Sequence, residues 1–336
     1  MSIEGTYRFT NLALRRGERL PEANLVYKTF GELNRDRSNA ILYPTSYGAT
    51  HHDIEWLVGP DRILNPQKYF IVIVNMFGNG VSSAPSNLPQ PWAHRIDLFT
   101  HVDNVCAQKE MLEEVFGITR LKLIYGWSMG AQQAFHWGAM FPDRVERIAA
   151  LCGSAKTSPH NHVFLEGLRY ALTTDLAWNG KYFVNKPEHG LRAFGRVYAG
   201  WAQSQAFYRQ HLYRTIGYAS LEDFLVRDWE ASFLRRDAMN LLSMIETWQR
   251  SDVGDNDIYR GNTEAALRAI TAKTLIMPSA TDLYFTPTDS EAEAALIQGS
   301  HYKVIPSIWG HRAGNPSKNP EDERFIRIAI EELLQS

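Results

Sequence analysis

The chain has 336 residues, 44% of them hydrophobic, which is enough to bury a large core in one elaborated domain or in two. Lysine and arginine number 35 against 37 aspartate and glutamate residues, and the absence of a basic cluster excludes a typical nucleic-acid-binding protein. Two cysteines do not make a disulfide framework, and no apolar run approaches the ~20 residues of a membrane span. Because the N-terminus also lacks a signal-peptide pattern, we expect a cytoplasmic protein with neither a nucleic-acid nor a membrane partner.

Residues 1–154 alternate strand and helix patterns. Residues 39–43 and 69–74 are continuous apolar runs, typical of parallel strands that are covered on both faces. Residues 102–116 have apolar positions spaced for one buried helix face. This alternation predicts an α/β fold with a mostly parallel sheet.

The segment at residues 122–131 carries a candidate nucleophile, Ser128. A short apolar strand runs into a G-x-S-x-G motif at residues 126–130, and a helical pattern follows. This order is typical of a nucleophile elbow, where side chains at the glycine positions would collide with the tight turn. The N–H of Met129, in the first helical turn, would then face an oxyanion formed at Ser128. Taken alone, the motif also fits an ordinary turn with an exposed serine.

Residues 155–260 have a different character. They lack strand-like runs, are rich in aromatic side chains, and predict amphipathic helices over residues 163–173, 191–203, 221–233 and 238–250. We expect a helical cap inserted between the fifth and sixth strands of the sheet, above the active site. Most of its aromatic residues should form its own core, with a few lining an apolar pocket, and a projecting block also offers a dimer surface.

Residues 261–336 resume the α/β alternation and supply two more candidate catalytic residues. Asp282 ends a polar turn after a strand that begins near residue 274, and His311 lies in the loop after a predicted strand at 302–306. Helices are predicted near 289–297 and at 321–334. The chain order Ser128, Asp282, His311 is that of α/β-hydrolases, with His311 as the base and Asp282 orienting it. Residues 1–154 and 261–336 are thus predicted to form the core domain.

One polar cluster could suggest metal ligands, the His51-His52-Asp53 run. It has no helical ligand spacing and no convincing third site, so we expect a loop beside the active site. The sequence predicts no metal and no cofactor.

The chain resembles the homoserine O-acetyltransferase family of α/β-hydrolases nearly end to end. The similarity lies in residues 126–132 and 141–145, in 27–34 and 75–78, and in cap residues 158–182 and 236–242. The resemblance places Asp282 and His311 on the family's triad positions and Asn75 in a loop near the active site. It implies that the second oxyanion N–H comes from Ser46 or Tyr47, and that the protein forms a homodimer through the cap helices.

Three departures from the family pattern concern the substrate. Arg312 stands where the acyltransferases carry an acid that meets the acceptor's amino group, and Ala219 replaces an arginine that pairs with its carboxylate. Trp127 replaces a glycine within the elbow. The resemblance is therefore to an esterase-like branch, and we expect a carboxylesterase acting on small short-chain acyl esters, alkyl acetates included. We expect Trp127, Asn75 and Arg312 to line its pocket.

Two alternatives stay open from the sequence. One is an O-acetyltransferase that moves acetyl from acetyl-CoA to homoserine or to another hydroxyl acceptor. The other is a non-catalytic binding protein on the same fold, which the complete set of nucleophile, acid and base disfavours.

Overall fold

A computed structural model describes residues 2–336, which form one eight-stranded sheet with helices on both faces. The strands are β1 (Ser2–Ala13), β2 (Arg19–Phe30), β3 (Ala40–Pro44), β4 (Phe70–Val74), β5 (Leu123–Trp127), β6 (Arg147–Leu151), β7 (Lys273–Met277) and β8 (His301–Tyr302). Their order in the sheet is β1-β2-β4-β3-β5-β6-β7-β8. The helices are α1 (His51–Ile54), α2 (His101–Phe116), α3 (Met129–Met140), α4 (Pro159–Thr173), α5 (Glu188–Ala202), α6 (Gln205–Arg209), α7 (Leu221–Phe224), α8 (Ala231–Leu234), α9 (Ala238–Gln249), α10 (Thr263–Arg268), α11 (Pro287–Ala294) and α12 (Pro320–Gln335).

The sheet is antiparallel at one edge and parallel elsewhere. β1 and β2 form a long hairpin, and β2 pairs antiparallel with β4. From β4 onward every pairing is parallel. β3 and β4 are buried along their whole length because helices cover both of their faces, which explains their uninterrupted apolar sequences. The carboxyl ends of β5, β6 and β7 are level with one another, since Trp127 pairs with Leu151 and Leu151 with Met277.

The last strand is shorter than the sequence predicted. β8 contains only His301 and Tyr302, although the chain continues beside β7 as far as Ile305. The Ile305 N–H donates to the carbonyl oxygen of Pro278 at 2.8 Å. Pro278 has no N–H to return, so the ladder is interrupted there.

The helical insertion lies between β6 and β7, one strand later than expected, because the N-terminal segment forms two strands, β1 and β2. Its two connections to the core run side by side as a neck, formed by residues 155–157 and 251–253. Beyond the neck, Tyr259 Oη donates to the Ala139 carbonyl at 2.6 Å, so residues near 259 contact the core helix α3.

The four predicted cap helices are present, but the third is irregular. Between α7 and α8 the chain forms a π-helical segment, Leu225–Glu230. Aromatic rings fill the space between the cap and the sheet: Phe164 stacks on Tyr284 at 5.0 Å between ring centres, and Trp248 on Phe285 at 5.4 Å. None of the helices formed by residues 2–336 combines the length and the apolar character that crossing a bilayer requires.

Candidate active site

Ser128 lies in the tight turn between β5 and α3 and has a strained backbone. Its φ of 58° and ψ of −127° are unusual for a residue with a side chain. A Cβ on Gly126 would overlap the Gly130 backbone, and a Cβ on Gly130 would lie 2.8 Å from the Pro44 carbonyl oxygen. Both glycines are therefore required for close backbone approach, as the motif predicted.

A third glycine supports the same turn and was not found from the sequence. A Cβ on Gly153 would lie 2.5 Å from the Ala131 Cβ and 2.8 Å from the Ser128 carbonyl oxygen. Gly153 follows β6, the neighbour of β5, so the sheet order brings it against the elbow. Its signal in the sequence was only a glycine after an apolar strand, which is too common to single out.

Asp282 and His311 form a buried hydrogen-bonded pair. Asp282 Oδ2 lies 2.7 Å from His311 Nδ1, and the exposed fraction of each residue is 4% or less. Asp282 Oδ1 accepts the backbone N–H groups of Tyr284 and Phe285 at 3.1 Å each, which fixes the carboxylate. Since Nδ1–H donates to Asp282, the lone pair of His311 is on Nε2. Nε2 is buried and has no partner among residues 2–336, so it can accept the proton of a nucleophile.

Aromatic rings hold the His311 imidazole beside the elbow. The Trp127 ring stacks on it at 4.9 Å between centres, and the Tyr284 ring lies 4.5 Å away. Trp127 Nε1 also donates to the His311 carbonyl oxygen at 3.3 Å. Because Trp127 immediately precedes Ser128, these contacts set the histidine against the nucleophile turn.

Cys152 lies behind the pair and was not assigned a place in the site from the sequence. Its Sγ and the ligand atoms of Asp282 and His311 all lie within 4.8 Å of one another. Burial, followed by the charge of Asp282, raises the pKa of the Cys152 thiol well above its ordinary value. The thiol is therefore protonated at neutral pH and does not act as a second nucleophile.

Two backbone segments offer free N–H groups near Ser128. The loop after β3 is held against α3, because Gln133 Nε2 donates to the Thr45 carbonyl at 3.0 Å. Among residues 2–336, the N–H groups of Ser46, Tyr47 and Met129 form no hydrogen bond. Tyr47 further anchors this loop to the cap, since its hydroxyl donates to the Leu241 carbonyl at 3.0 Å. Protein groups of residues 2–336 therefore leave the predicted oxyanion donors unoccupied.

A cavity of about 350 Å³ opens beside the pair. His311, Tyr47 and the predicted pocket residues Trp127 and Arg312 line it. Ser128, Asp282, Ser46 and Met129 are not part of the lining, and Ser128 is only 1% exposed. Its aromatic walls come mostly from the cap and the loops that face it: Tyr47, Tyr198, Trp229, Phe233 and Trp309. Ala219, discussed above as a missing clamp, is exposed and lies outside this lining.

Asn75 does not line the cavity, contrary to the prediction. It is fully buried, and its Oδ1 accepts the His51 N–H while its Nδ2 donates to the Val26 carbonyl at 3.1 Å and to His51 Nδ1 at 2.9 Å. This orientation makes Nδ1 an acceptor and leaves the proton on Nε2, which contacts Glu4. One ligand atom from each of Glu4, His51 and His52 lies within 4.8 Å of the others. Asn75 therefore connects the start of α1 to β2 and does not face the cavity.

The comparisons with known proteins agree with this geometry. Residues 46–313 match the family described as alpha/beta hydrolase fold. A probable esterase of Corynebacterium glutamicum is 37% identical over 92% of this chain and 90% of its own. The ethyl acetate hydrolase of Pseudomonas veronii is also 37% identical, over 89% and 86%. The solved structure of an acetyl esterase superposes with a TM-score of 0.96 at 35% identity, covering 99% of this chain and 97% of that one.

The acyltransferases are more distant relatives. The homoserine O-acetyltransferase of Thermobifida fusca is 28% identical over 96% of this chain and 91% of its own. The resemblance found in the sequence is therefore confirmed, and so is its esterase-like character. The chain therefore belongs to the α/β-hydrolase family, in a branch shared by esterases and homoserine O-acetyltransferases, because the strained elbow, the buried acid–base pair and these relatives all agree.

Proposed function

We propose that this carboxylic ester hydrolase cleaves small short-chain acyl esters, alkyl acetates included, through an acyl-enzyme on Ser128. The observation that carries the proposal is the buried Asp282–His311 pair, whose Nε2 is free beside the elbow. A relative that is 37% identical is an ethyl acetate hydrolase, which supports the substrate class.

The reaction has two steps. The Ser128 hydroxyl attacks the ester carbonyl while His311 Nε2 takes its proton, and the tetrahedral oxyanion accepts hydrogen bonds from Met129 N–H and from the N–H of Ser46 or Tyr47. Collapse expels the alcohol, which receives the proton from His311. Water then attacks the acyl-enzyme by the same route and releases the carboxylic acid.

The cavity supports a small substrate. Its volume is about 350 Å³, and the base His311 is among the residues that line it together with aromatic side chains. A pocket of packed rings excludes groups that overfill it much more strongly than it penalises groups that underfill it. Long acyl chains are therefore poor substrates under this proposal.

The test is a panel of p-nitrophenyl and simple alkyl esters of increasing acyl length. We expect the acetyl ester to be turned over fastest and Ser128→Ala to lower kcat by roughly 10⁴-fold or more, because covalent catalysis has no substitute. Circular dichroism of the variant controls for folding. Near-normal hydrolysis by the folded Ser128→Ala variant, or faster turnover of long-chain esters, would contradict the proposal.

Transfer to homoserine is the competing function, and the structure alters one argument against it. Arg312 replaces the acid that meets the amino group of the acceptor, but the charge of Arg312 is paired with Asp228 at 2.5 Å, so its repulsion of an ammonium group is reduced. The same panel therefore includes acetyl-CoA with homoserine. We expect free acetate and little O-acetylhomoserine by mass spectrometry, and efficient saturable formation of O-acetylhomoserine would favour the transferase.

The organisation of the chain is also part of the proposal. Residues from 155 to the end of the neck at 253 act as the cap, which is shorter than the range to residue 260 expected from the sequence, since Tyr259 contacts the core.

A homodimer through the cap helices is supported by exposed apolar side chains on α4. A cytoplasmic location is supported by the two unpaired cysteines.

A further inference from the structure

Ion pairs join the cap to the core at the wall of the cavity. Arg236, just before α9, contacts Asp53 of α1 at 2.8 Å. Asp228, in the π-helical segment of the cap, contacts Arg312 of the core at 2.5 Å. All four residues line the cavity, so its wall carries charges that are largely paired with each other.

Arg312 is the charged side chain nearest in sequence to the catalytic pair, and its guanidinium is already occupied. Nη2 donates to Asp228 Oδ2, and the guanidinium carbon lies 4.2 Å from the centre of the Trp229 ring. Asp228 and the ring thus take one edge and one face of the group. A substrate carboxylate would have to displace Asp228 or lie beside it.

Asp228 is held as an anion. Its Oδ1 accepts the Tyr218 hydroxyl at 2.7 Å, and Lys318 Nζ lies 3.6 Å away. Burial alone would raise the pKa of Asp228, but the Arg312 charge and the Tyr218 hydrogen bond hold that pKa below its ordinary value. The pair with Arg312 therefore persists throughout the neutral pH range.

The position of Asp228 is fixed by its neighbours in the π-helical segment. Glu230, two residues later, is buried and contacts Arg192 at 2.7 Å and Arg196 at 2.5 Å, both on α5. A Cβ on Gly195 would lie 2.9 Å from the Trp229 carbonyl oxygen, so α5 packs directly against the segment. A π-helical turn often occurs at functional sites, and here it presents Asp228 and Trp229 together to the cavity.

We propose that Asp228 is a specificity-determining residue: by binding Arg312 it withholds that cation from the substrate and selects esters whose alcohol group is uncharged. The inference rests on the proposed esterase function and names the substrate class of the same site. The other unpaired or weakly paired cations of the wall, Arg235 and Lys318, are more exposed, so water screens their attraction for an anion.

The experiment uses two acetyl esters of equal size, acetoxyacetate and acetoxyacetamide, which differ in a carboxylate and a carboxamide. The quantity measured is the ratio of kcat/KM for the anion to that for the amide, at pH 7.5 and low salt. We expect the wild-type enzyme to prefer the amide. Asp228→Asn keeps the shape and frees Arg312 to bind the carboxylate, so the ratio should rise roughly tenfold or more, as for a hydrogen bond to a charged group.

Two further variants complete a double-mutant cycle of Asp228 and Arg312. Arg312→Gln leaves Asp228 without its main partner, and the ratio should fall below that of the wild type, because the cavity then carries a poorly compensated anion. The double variant Asp228→Asn/Arg312→Gln removes both charges, and its ratio should return towards the wild-type value. A structural role for Asp228 would instead lower both rates together and leave the ratio constant.

The outcomes separate this inference from the proposed function. If wild-type enzyme cleaves no acetyl ester, the esterase proposal itself fails. If it cleaves p-nitrophenyl acetate but prefers the anion, does not cleave the amide, or shows a ratio that Asp228→Asn leaves unchanged, only the inference is overturned. Should Asp228→Asn not fold, as judged by its Tm, a ratio that fails to fall in Arg312→Gln overturns it in the same way.

Discussion

Asp282 has two separate tasks, one for each carboxylate oxygen. Oδ1 accepts hydrogen bonds from two backbone N–H groups and fixes the loop after β7. Oδ2 accepts a hydrogen bond from the Nδ1–H of His311. An asparagine can keep the first task, because its amide has a carbonyl oxygen. It cannot keep the second, because a neutral amide supplies no negative charge to His311. One substitution therefore separates the two tasks.

Asp282→Asn should therefore fold and yet be a poor enzyme. We expect kcat for p-nitrophenyl acetate to fall by about 10³- to 10⁴-fold, since the histidine tautomer is no longer fixed and the imidazolium loses its counter-charge. The measurement is steady-state kinetics, with Tm as the control for folding. A folded variant whose kcat is within tenfold of wild type would show that Asp282 is not the orienting acid.

At the scale of elements, the neck carries an unusual side chain. The carboxyl group of Glu293, on α11, lies against it: one oxygen accepts the Ala155 N–H at 2.8 Å, and the other is buried with no partner among residues 2–336. Burial raises the pKa of Glu293 to about 8, although the two backbone N–H groups oppose the shift. The carboxyl group that ties the cap to α11 is thus protonated at neutral pH.

This protonation makes the stability of the protein depend on pH. Between the ordinary pKa of 4.5 and about 8, the unfolded chain has lost the proton and the folded protein keeps it, so stability falls as pH rises across that window. Glu293→Gln removes the titration and keeps the acceptor. We expect the Tm of the variant to exceed that of wild type by about 3 °C or more at pH 8, and by less at pH 5. Thermal unfolding at both pH values is the test, and a difference that does not widen with pH would contradict it.

At the scale of the whole molecule, the cap presents apolar side chains to solvent. Val163 and Tyr170, seven residues apart on α4, are 64% and 63% exposed, and Leu176 follows fully exposed. Positions separated by seven residues lie on one helix face. This exposed face is the part of the cap that the proposed homodimer would cover.

If the dimer forms there, charge on that face should separate it. We expect light scattering to give twice the chain mass of 38.3 kDa for wild type and for the control Ile328→Glu, whose site on α12 is also exposed. Val163→Glu/Tyr170→Glu should shift the mass towards the monomer, because burying two carboxylates opposes association. A wild-type monomer, or a double variant that stays dimeric, would rule out this interface.

The parts of the site that could be predicted from the sequence depend on local patterns. The elbow can be recognised from two glycines, a preceding strand and a following helix, and Asp282 and His311 follow strands in a fixed chain order. The role of Asp228 could not be predicted, because it requires a π-helical segment to place an acid against Arg312, 84 residues later in the chain. Asn75 was misplaced for a similar reason: its partners Val26 and His51 lie on other elements, so a loop position near the site did not indicate which way its amide pointed.

The contact between Tyr47 and the cap affects how substrate reaches Ser128. The loop proposed to offer an oxyanion N–H, from Ser46 or Tyr47, is attached to α9 through the Tyr47 hydroxyl. Lifting the cap would therefore pull the donor away from the nucleophile, and an open form would lack catalytic power. Any opening of the cap that admits substrate or releases product must therefore be reversed before Ser128 can react, which couples the chemistry to the closed position of α9.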